Sequence, residues 1–267
     1  MWVEFDPPIV PSLESTDVYS AKRFTDICIT HLLMHRQGWL RRKMEELGIS
    51  DMRSAIEFVI LNIDYPLTRG SPDDKHIWNA FSGKACYTIF SDYWQTASET
   101  LSTYILNKKL YDKHGYGDCE DTSILVTAFL RILNIQAYEV LGMVYEDDKP
   151  LGGHGWAIAV FPDDTWRLIE STLDTPPEWY SGYPVINQES NRWEINGLVY
   201  EGWIKFDEAH YYEWRGSETK DKFSKYLKFQ VRDKETYTKH KAIHRAWKRP
   251  TKAIKKRNIL SRIRWRK

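Results

Sequence analysis

Three residue types spread along this chain suit thiol chemistry: Cys119, His154 and Glu170. Gly115 and Gly117 let the backbone turn sharply ahead of Asp118-Cys119-Glu120-Asp121. Asp118 is placed as a helix N-cap, with Glu120 and Asp121 in the first turn, where carboxylates favour the dipole. Leu125, Ala128, Phe129, Ile132 and Leu133 then recur at helical spacing, so this helix is expected to be buried along one face. A cysteine in its first turn meets exposed N–H groups that favour a thiolate. Taken alone, Cys119 reads equally as a small apolar core residue.

Two further segments add to the nucleophile reading. Gly152-Gly153-His154-Gly155-Trp156-Ala157-Ile158 reads as a strand opening with a histidine. After the turn at Pro162-Asp163-Asp164, Trp166 to Thr172 reads as its hairpin partner and contains Glu170. A cysteine on a helix, a histidine on one strand and an acid on the next follow the order of a thiol triad.

Together, Trp94-Gln95-Thr96 through Leu101, the run GDCEDTSIL, the run GHGWAIAV and the run WRLIEST resemble the transglutaminase-like, papain-like cysteine peptidase superfamily. The likeness covers about residues 51 to 175 and is nearest to prokaryotic members with a GDCED core. It implies an α+β fold, with the cysteine helix packed on an antiparallel sheet. It also implies Cys119 as nucleophile, His154 as general base and Glu170 as the acid that orients it. The family more often carries Asp at the third position; Glu has one methylene more and needs a different backbone distance. Thiol peptidases pair the nucleophile's N–H with a second oxyanion donor, and Gln95 or the indole of Trp94 are the candidates, with a structural role for either equally open.

Three carboxylates beside one thiol oppose its ionisation. Either Asp118, Glu120 and Asp121 act as caps that point away, or a cation neutralises them. Hard oxygen ligands suit calcium, and some of the resembling peptidases use it there. The expected reaction is hydrolysis of peptide or side-chain amide bonds through a thioester. Transglutaminase-type transfer to an amine is the enzymatic alternative, and a non-catalytic assembly or binding module that retains the fold is the other.

The elements that must position these residues are legible in outline. A helix is expected from Thr16 or Asp17 to Leu47, stopped by Gly48, and a second from Met52 to Ile63 after Ser50. Trp78, Phe81, Tyr87, Phe90 and Tyr93 supply aromatic surface for a core or a cleft wall. Ser102 to His114 reads as a long link, an insertion near the cleft mouth. Ile135 to Tyr145 alternates like a strand, and Asn196-Gly197 joins two more. Trp179, Tyr180, Tyr183, Trp203, Tyr211, Tyr212 and Trp214 suit a substrate groove or sheet packing. The expected organisation is an N-terminal segment and helix over 1–50, a peptidase core over 51–215 and a helical C-terminal extension over 216–267.

With 267 residues, 42% hydrophobic and 14% aromatic, the chain has ample core material and is not disordered throughout. Cys28, Cys86 and Cys119 form neither a disulfide framework nor a metal-ligand spacing, and Cys86 is expected to be buried and inert. No signal-peptide pattern and no long apolar run are present, so a cytoplasmic protein is the default expectation, with membership of a larger particle open.

The formal charge of +1 conceals an asymmetry. Tyr237 to Lys267 holds 13 of the 38 Lys and Arg and none of the 37 Asp and Glu, so the rest of the chain is net negative by about 12. Trp247 and Trp265 lie within this basic tail, which Pro250 divides. Such a segment suits nucleic acid, an anionic surface, an acidic partner protein or the chain's own acidic body.

Overall fold

The computed structural model describes residues 1–10, 27–65, 74–77, 87–90, 94–215 and 233–248. The expected start of the first helix, Trp78, Phe81, Cys86, Tyr93 and the tail beyond Lys248 lie outside them.

Helices pack against an antiparallel sheet. The strands are β1 (Trp2–Phe5), β2 (Ile9–Val10), β3 (Ile27–Cys28), β4 (Ile63–Asp64), β5 (Asp74–Ile77), β6 (Tyr87–Phe90), β7 (Gly115–Tyr116), β8 (Ala137–Glu146), β9 (Lys149–Val160), β10 (Trp166–Ile169), β11 (Arg192–Ile195), β12 (Leu198–Phe206) and β13 (Tyr211–Trp214). The helices are α1 (His31–Met34), α2 (Gln37–Glu46), α3 (Met52–Asn62), α4 (Ala97–Tyr111), α5 (Cys119–Ile132) and α6 (Asp233–Trp247). The main sheet runs β1-β13-β12-β8-β9-β10, with β11 paired to β12.

Turn chemistry fixes the register of the central strands. Asp147 and Asp148, at φ 50° and 58°, form the two-residue turn between Glu146 and Lys149. Asn196 and Gly197, at φ 53° and 90°, do the same between β11 and β12. Paired positive φ values match the strands' own twist, and Asn, Asp and Gly reach them at least cost.

The expected first helix is instead divided. Ile27–Cys28 pairs with Ile9–Val10, and Arg36 enters the left-handed region at φ 58° between α1 and α2. Its apolar spacing is nevertheless satisfied, since Leu32, Leu33, Leu40 and Met44 are all buried. The second helix begins at Met52 as expected and ends at Asn62, with Asp51 capping α3 by accepting the Ser54 N–H at 2.8 Å.

Ser102 to His114 is not an inserted link. Most of it is the second half of α4, capped at Thr96 with Glu99 and buried through Leu101, Thr103 and Tyr104. A Cβ on Gly115 would lie 2.7 Å from the Tyr104 amide nitrogen, so only glycine lets the chain return this close to α4.

Helix α5 lies in the core, with Ile124, Leu125, Ala128 and Phe129 fully buried between the other helices and the sheet. Aromatic packing accounts for most of the residues expected to line a groove. Tyr183 and Tyr211 are buried, Trp179, Tyr180 and Tyr183 cluster round Phe161, and Trp2 meets Trp214 edge-on at 5.3 Å. Among the described residues, no helix is long and apolar enough to cross a membrane.

Candidate active site

Cys119 is the first residue of α5, and Asp118 is its N-cap. The thiol sits against β9, where the Gly155 backbone N–H favours its ionised form. This approach requires glycine at 155, because a Cβ there would stand 2.8 Å from Glu120 Cα. His154, the neighbouring residue of β9, is 1% exposed, and Cys119 is 3% exposed.

Glu170 follows β10 directly and is fully buried. His154 Nε2 meets Glu170 Oε2 at 2.8 Å. The same oxygen accepts the Tyr200 hydroxyl at 2.9 Å, while Oε1 accepts the Thr172 hydroxyl at 2.7 Å and its N–H at 3.1 Å. Burial alone would raise this carboxyl's pKa. The facing His154 charge and the donors from His154 and Thr172 outweigh burial and hold it at about 2.

With Nε2 committed to Glu170, Nδ1 is the other ring nitrogen. It is buried and has no hydrogen-bond partner among the described residues. His154 and Trp156 stand on one face of β9 with ring centroids 6.1 Å apart, as the period-two spacing of a strand requires. The Ser171 hydroxyl donates to Thr122 Oγ1 at 2.9 Å, tying the end of β10 to the first turn of α5. Glu170 and Cys119 are thereby held by elements that are bonded to each other.

The thiol's electrostatics are mixed. Burial pushes its pKa well up, the Lys239 ammonium pulls it down, and the Glu120 carboxylate raises it again. Cys119 Sγ donates to Glu120 Oε2 at 3.2 Å, and Lys239 Nζ lies 3.8 Å from the sulfur. The resting thiol is therefore held in its neutral form.

The two oxyanion candidates fare differently. Trp94 is buried at 4% exposure beside the site's helices. Gln95 gives its backbone N–H to Asp121 Oδ1 at 2.7 Å, and its side-chain amide to Asp121 Oδ2 at 2.5 Å and Tyr116 O at 3.3 Å. Both side-chain hydrogens of Gln95 are thus engaged in fixing the start of α5.

The same contacts bear on the expected calcium ligands. Asp118, Cys119 and Glu120 bring ligand atoms within 4.8 Å of one another. Asp121 is not among them, because both its oxygens face Gln95 and one also accepts the Asp118 N–H at 3.4 Å. Two carboxylates and a thiol do not fit calcium, which takes six to eight oxygens.

Lys239, Tyr200 and Thr172 are the site residues that sequence spacing did not single out. Lys239 was hidden in the general basicity of the tail. Tyr200 lay in the alternation of a strand, where only the position of its neighbour across the sheet gives its hydroxyl a purpose.

The transglutaminase-like superfamily model matches residues 84–171, the segment that contains Cys119, His154 and Glu170. The chain accordingly has a transglutaminase-like, α+β fold, with the helix that begins at Cys119 laid on the antiparallel sheet. Among solved structures it is similar to a candidate cysteine protease from Cytophaga hutchinsonii, with 17% identity and a TM-score of 0.33 over 59% of this chain and 45% of that one. It therefore spans less than half the length of that neighbour. It is also similar to Legionella pneumophila LapG, with 14% identity and a TM-score of 0.33 over 75% of this chain and 94% of that one. An EGTA-treated form of LapG gives 14% identity and a TM-score of 0.35. No curated protein matches the chain.

Proposed function

We propose that this chain is a cysteine-nucleophile hydrolase of peptide or side-chain amide bonds, with Cys119 as nucleophile, His154 as base and acid, and Glu170 as the group that orients His154. The observation that carries this reading is the buried His154–Glu170 pair at 2.8 Å, which leaves Nδ1 without a partner among the described residues, on the strand that packs against the helix begun by Cys119. A purely structural histidine has no need of a carboxylate with three further donors behind it.

In the proposed reaction His154 Nδ1 takes the Cys119 proton and the thiolate attacks the carbonyl carbon. The N–H groups in the first turn of α5 receive the developing oxyanion. His154 returns its proton to the leaving amine, giving a thioester, and then deprotonates the water that hydrolyses it. Glu170 keeps the ring in one tautomer and stabilises the imidazolium between these steps.

The test is capture of Cys119 by a library of peptide electrophiles, read by site-resolved mass spectrometry. Capture at Cys119 that falls at least a hundredfold in His154→Ala supports the hydrolase. Equal slow labelling of Cys28, Cys86 and Cys119, indifferent to His154, would leave a binding or assembly module on the same scaffold.

A further inference from the structure

Helix α6, the described part of the basic C-terminal region, is seated on the site from Lys239 to Trp247. Ala242, Ile243 and Ala246 are buried against the core. His244 Nε2 meets Thr172 O at 2.7 Å and its Nδ1 meets Asp174 Oδ2 at 3.0 Å. The Trp247 indole N–H donates at 3.0 Å to the Tyr200 hydroxyl, which itself donates to Glu170. Asn196 donates to Ala246 O at 3.0 Å, and Arg245 pairs with Glu146. Thr172 and Tyr200 are two of the groups that hold Glu170, so the helix grips the site's supports as well as covering it.

At the other end Lys239 enters the site itself. Its ammonium donates to Gly153 O at 2.5 Å and to Cys119 Sγ at 3.8 Å, and the residue is only 5% exposed. Its alkyl stem passes Gly152, where Cδ lies 3.5 Å from the place a Cβ would occupy. A buried ammonium is costly unless it meets acceptors or opposite charge. Here it meets a carbonyl, a sulfur and, bonded to that sulfur, the Glu120 carboxylate. A slot with an apolar side along Gly152 and an acceptor-rich end beside the nucleophile is fitted to a lysine side chain.

We propose that α6 is an intramolecular occupant of the substrate site, in which Lys239 fills a subsite beside Cys119 that takes a lysine side chain of the polypeptide substrate, and that the thiol reacts once such a ligand displaces the helix. This rests on Cys119 being the nucleophile. It identifies the substrate class as a lysine-bearing polypeptide, a basic ligand for a chain that is acidic outside its tail. The bound helix also accounts for the nearly inaccessible thiol, which is the state of a closed site.

The experiment uses the full chain and iodoacetamide, a probe small enough to report access, with the Cys119 rate read by mass spectrometry. Ile243→Asp places a carboxylate in a fully buried seat and releases α6; Ala246→Asp replaces it if Ile243→Asp lacks a cooperative melt. The expected result is slow Cys119 labelling in the native chain and labelling at least tenfold faster in the released variant. Nα-acetyl-lysine methylamide then slows the released variant, and the norleucine analogue does not. A released variant that still melts cooperatively yet labels at the native rate overturns the occupancy. Fast labelling that both analogues affect equally overturns the lysine subsite. Failure of the underlying reading looks different: labelling in the released variant would be unaffected by His154→Ala and no faster than that of Cys28.

Discussion

His154 Nε2 and Glu170 Oε2 lie 2.8 Å apart in a place that solvent does not reach. The pair ties the proposed base to the stability of the fold, because a carboxylate buried this deeply persists only while its donors do. Glu170 has a reference pKa of 4.5 and is held at about 2 in the folded chain. Its folded value lies below its unfolded one, so its contribution to stability is full above pH 4.5 and is lost as pH falls towards 2. The difference corresponds to on the order of 3 kcal/mol. Denaturant melts between pH 7 and 2 should show this loss in the native chain, and Glu170→Gln should lack that part of the acid slope while losing at least a hundredfold in peptide-electrophile capture. Parallel acid slopes for the two proteins would show that the carboxyl is not depressed.

Gly155 offers a steric test of how α5 meets β9. An added Cβ would come within 2.8 Å of Glu120 Cα and 3.0 Å of its nitrogen, backbone atoms that cannot swing aside. Gly155→Ala should therefore push the first turn of α5 off the strand, costing about 1–3 kcal/mol as overpacking does, and shift Cys119 relative to β9. Gly38→Ala is the control: it stands in α2, with its nearest non-local atom, Arg42 Nη1, at 4.0 Å. That change should be neutral or stabilising by about 0.5–1 kcal/mol. Thermal melts that rank the two variants the other way round would contradict the packing described.

The thiol, the histidine and the acid were legible because each carries its local context with it. Glycines precede Cys119 and its helix has a buried face; His154 opens an alternating strand; Glu170 ends the strand's hairpin partner. The Asn196-Gly197 turn was equally plain, since its residues are ones that accept positive φ. What spacing could not convey was long-range. The break at Arg36 leaves the apolar period of α1 and α2 intact, so the sequence reads as one helix. Gln95 reads as an oxyanion donor until Asp121, 26 positions away, takes its hydrogens. Lys239 is one base among 13 in the tail, and only the seating of α6 120 residues beyond Cys119 sets it apart.

Gln95 can now be separated from a catalytic donor by experiment. Its amide bridges Asp121 and Tyr116, so Gln95→Ala removes one of the donors to a buried carboxylate, a loss on the order of 1–3 kcal/mol. Capture or turnover should fall less than tenfold once measured well below the melting transition. Loss of an oxyanion donor has the opposite signature, with rate falling by about 10²–10³ and the melting midpoint little changed. Measuring both quantities on one variant distinguishes the two roles.

Calcium gives the last test, since three carboxylates surround the nucleophile in sequence but do not converge in space. Asp121 spends its oxygens on the Gln95 backbone and amide and on the Asp118 N–H. The atoms that do converge, from Asp118, Cys119 and Glu120, include a sulfur, and hard cations prefer oxygen. A metal that bound the native fold would stabilise it by mass action, by about 2.7 kcal/mol at a hundredfold excess over Kd, and so raise its midpoint. Neither EGTA nor millimolar calcium should move the thermal midpoint or the Cys119 labelling rate of the full chain. A calcium-dependent rise of several degrees, reversed by EGTA, would require Asp121 to leave Gln95 and the first turn of α5 to reorganise around the ion.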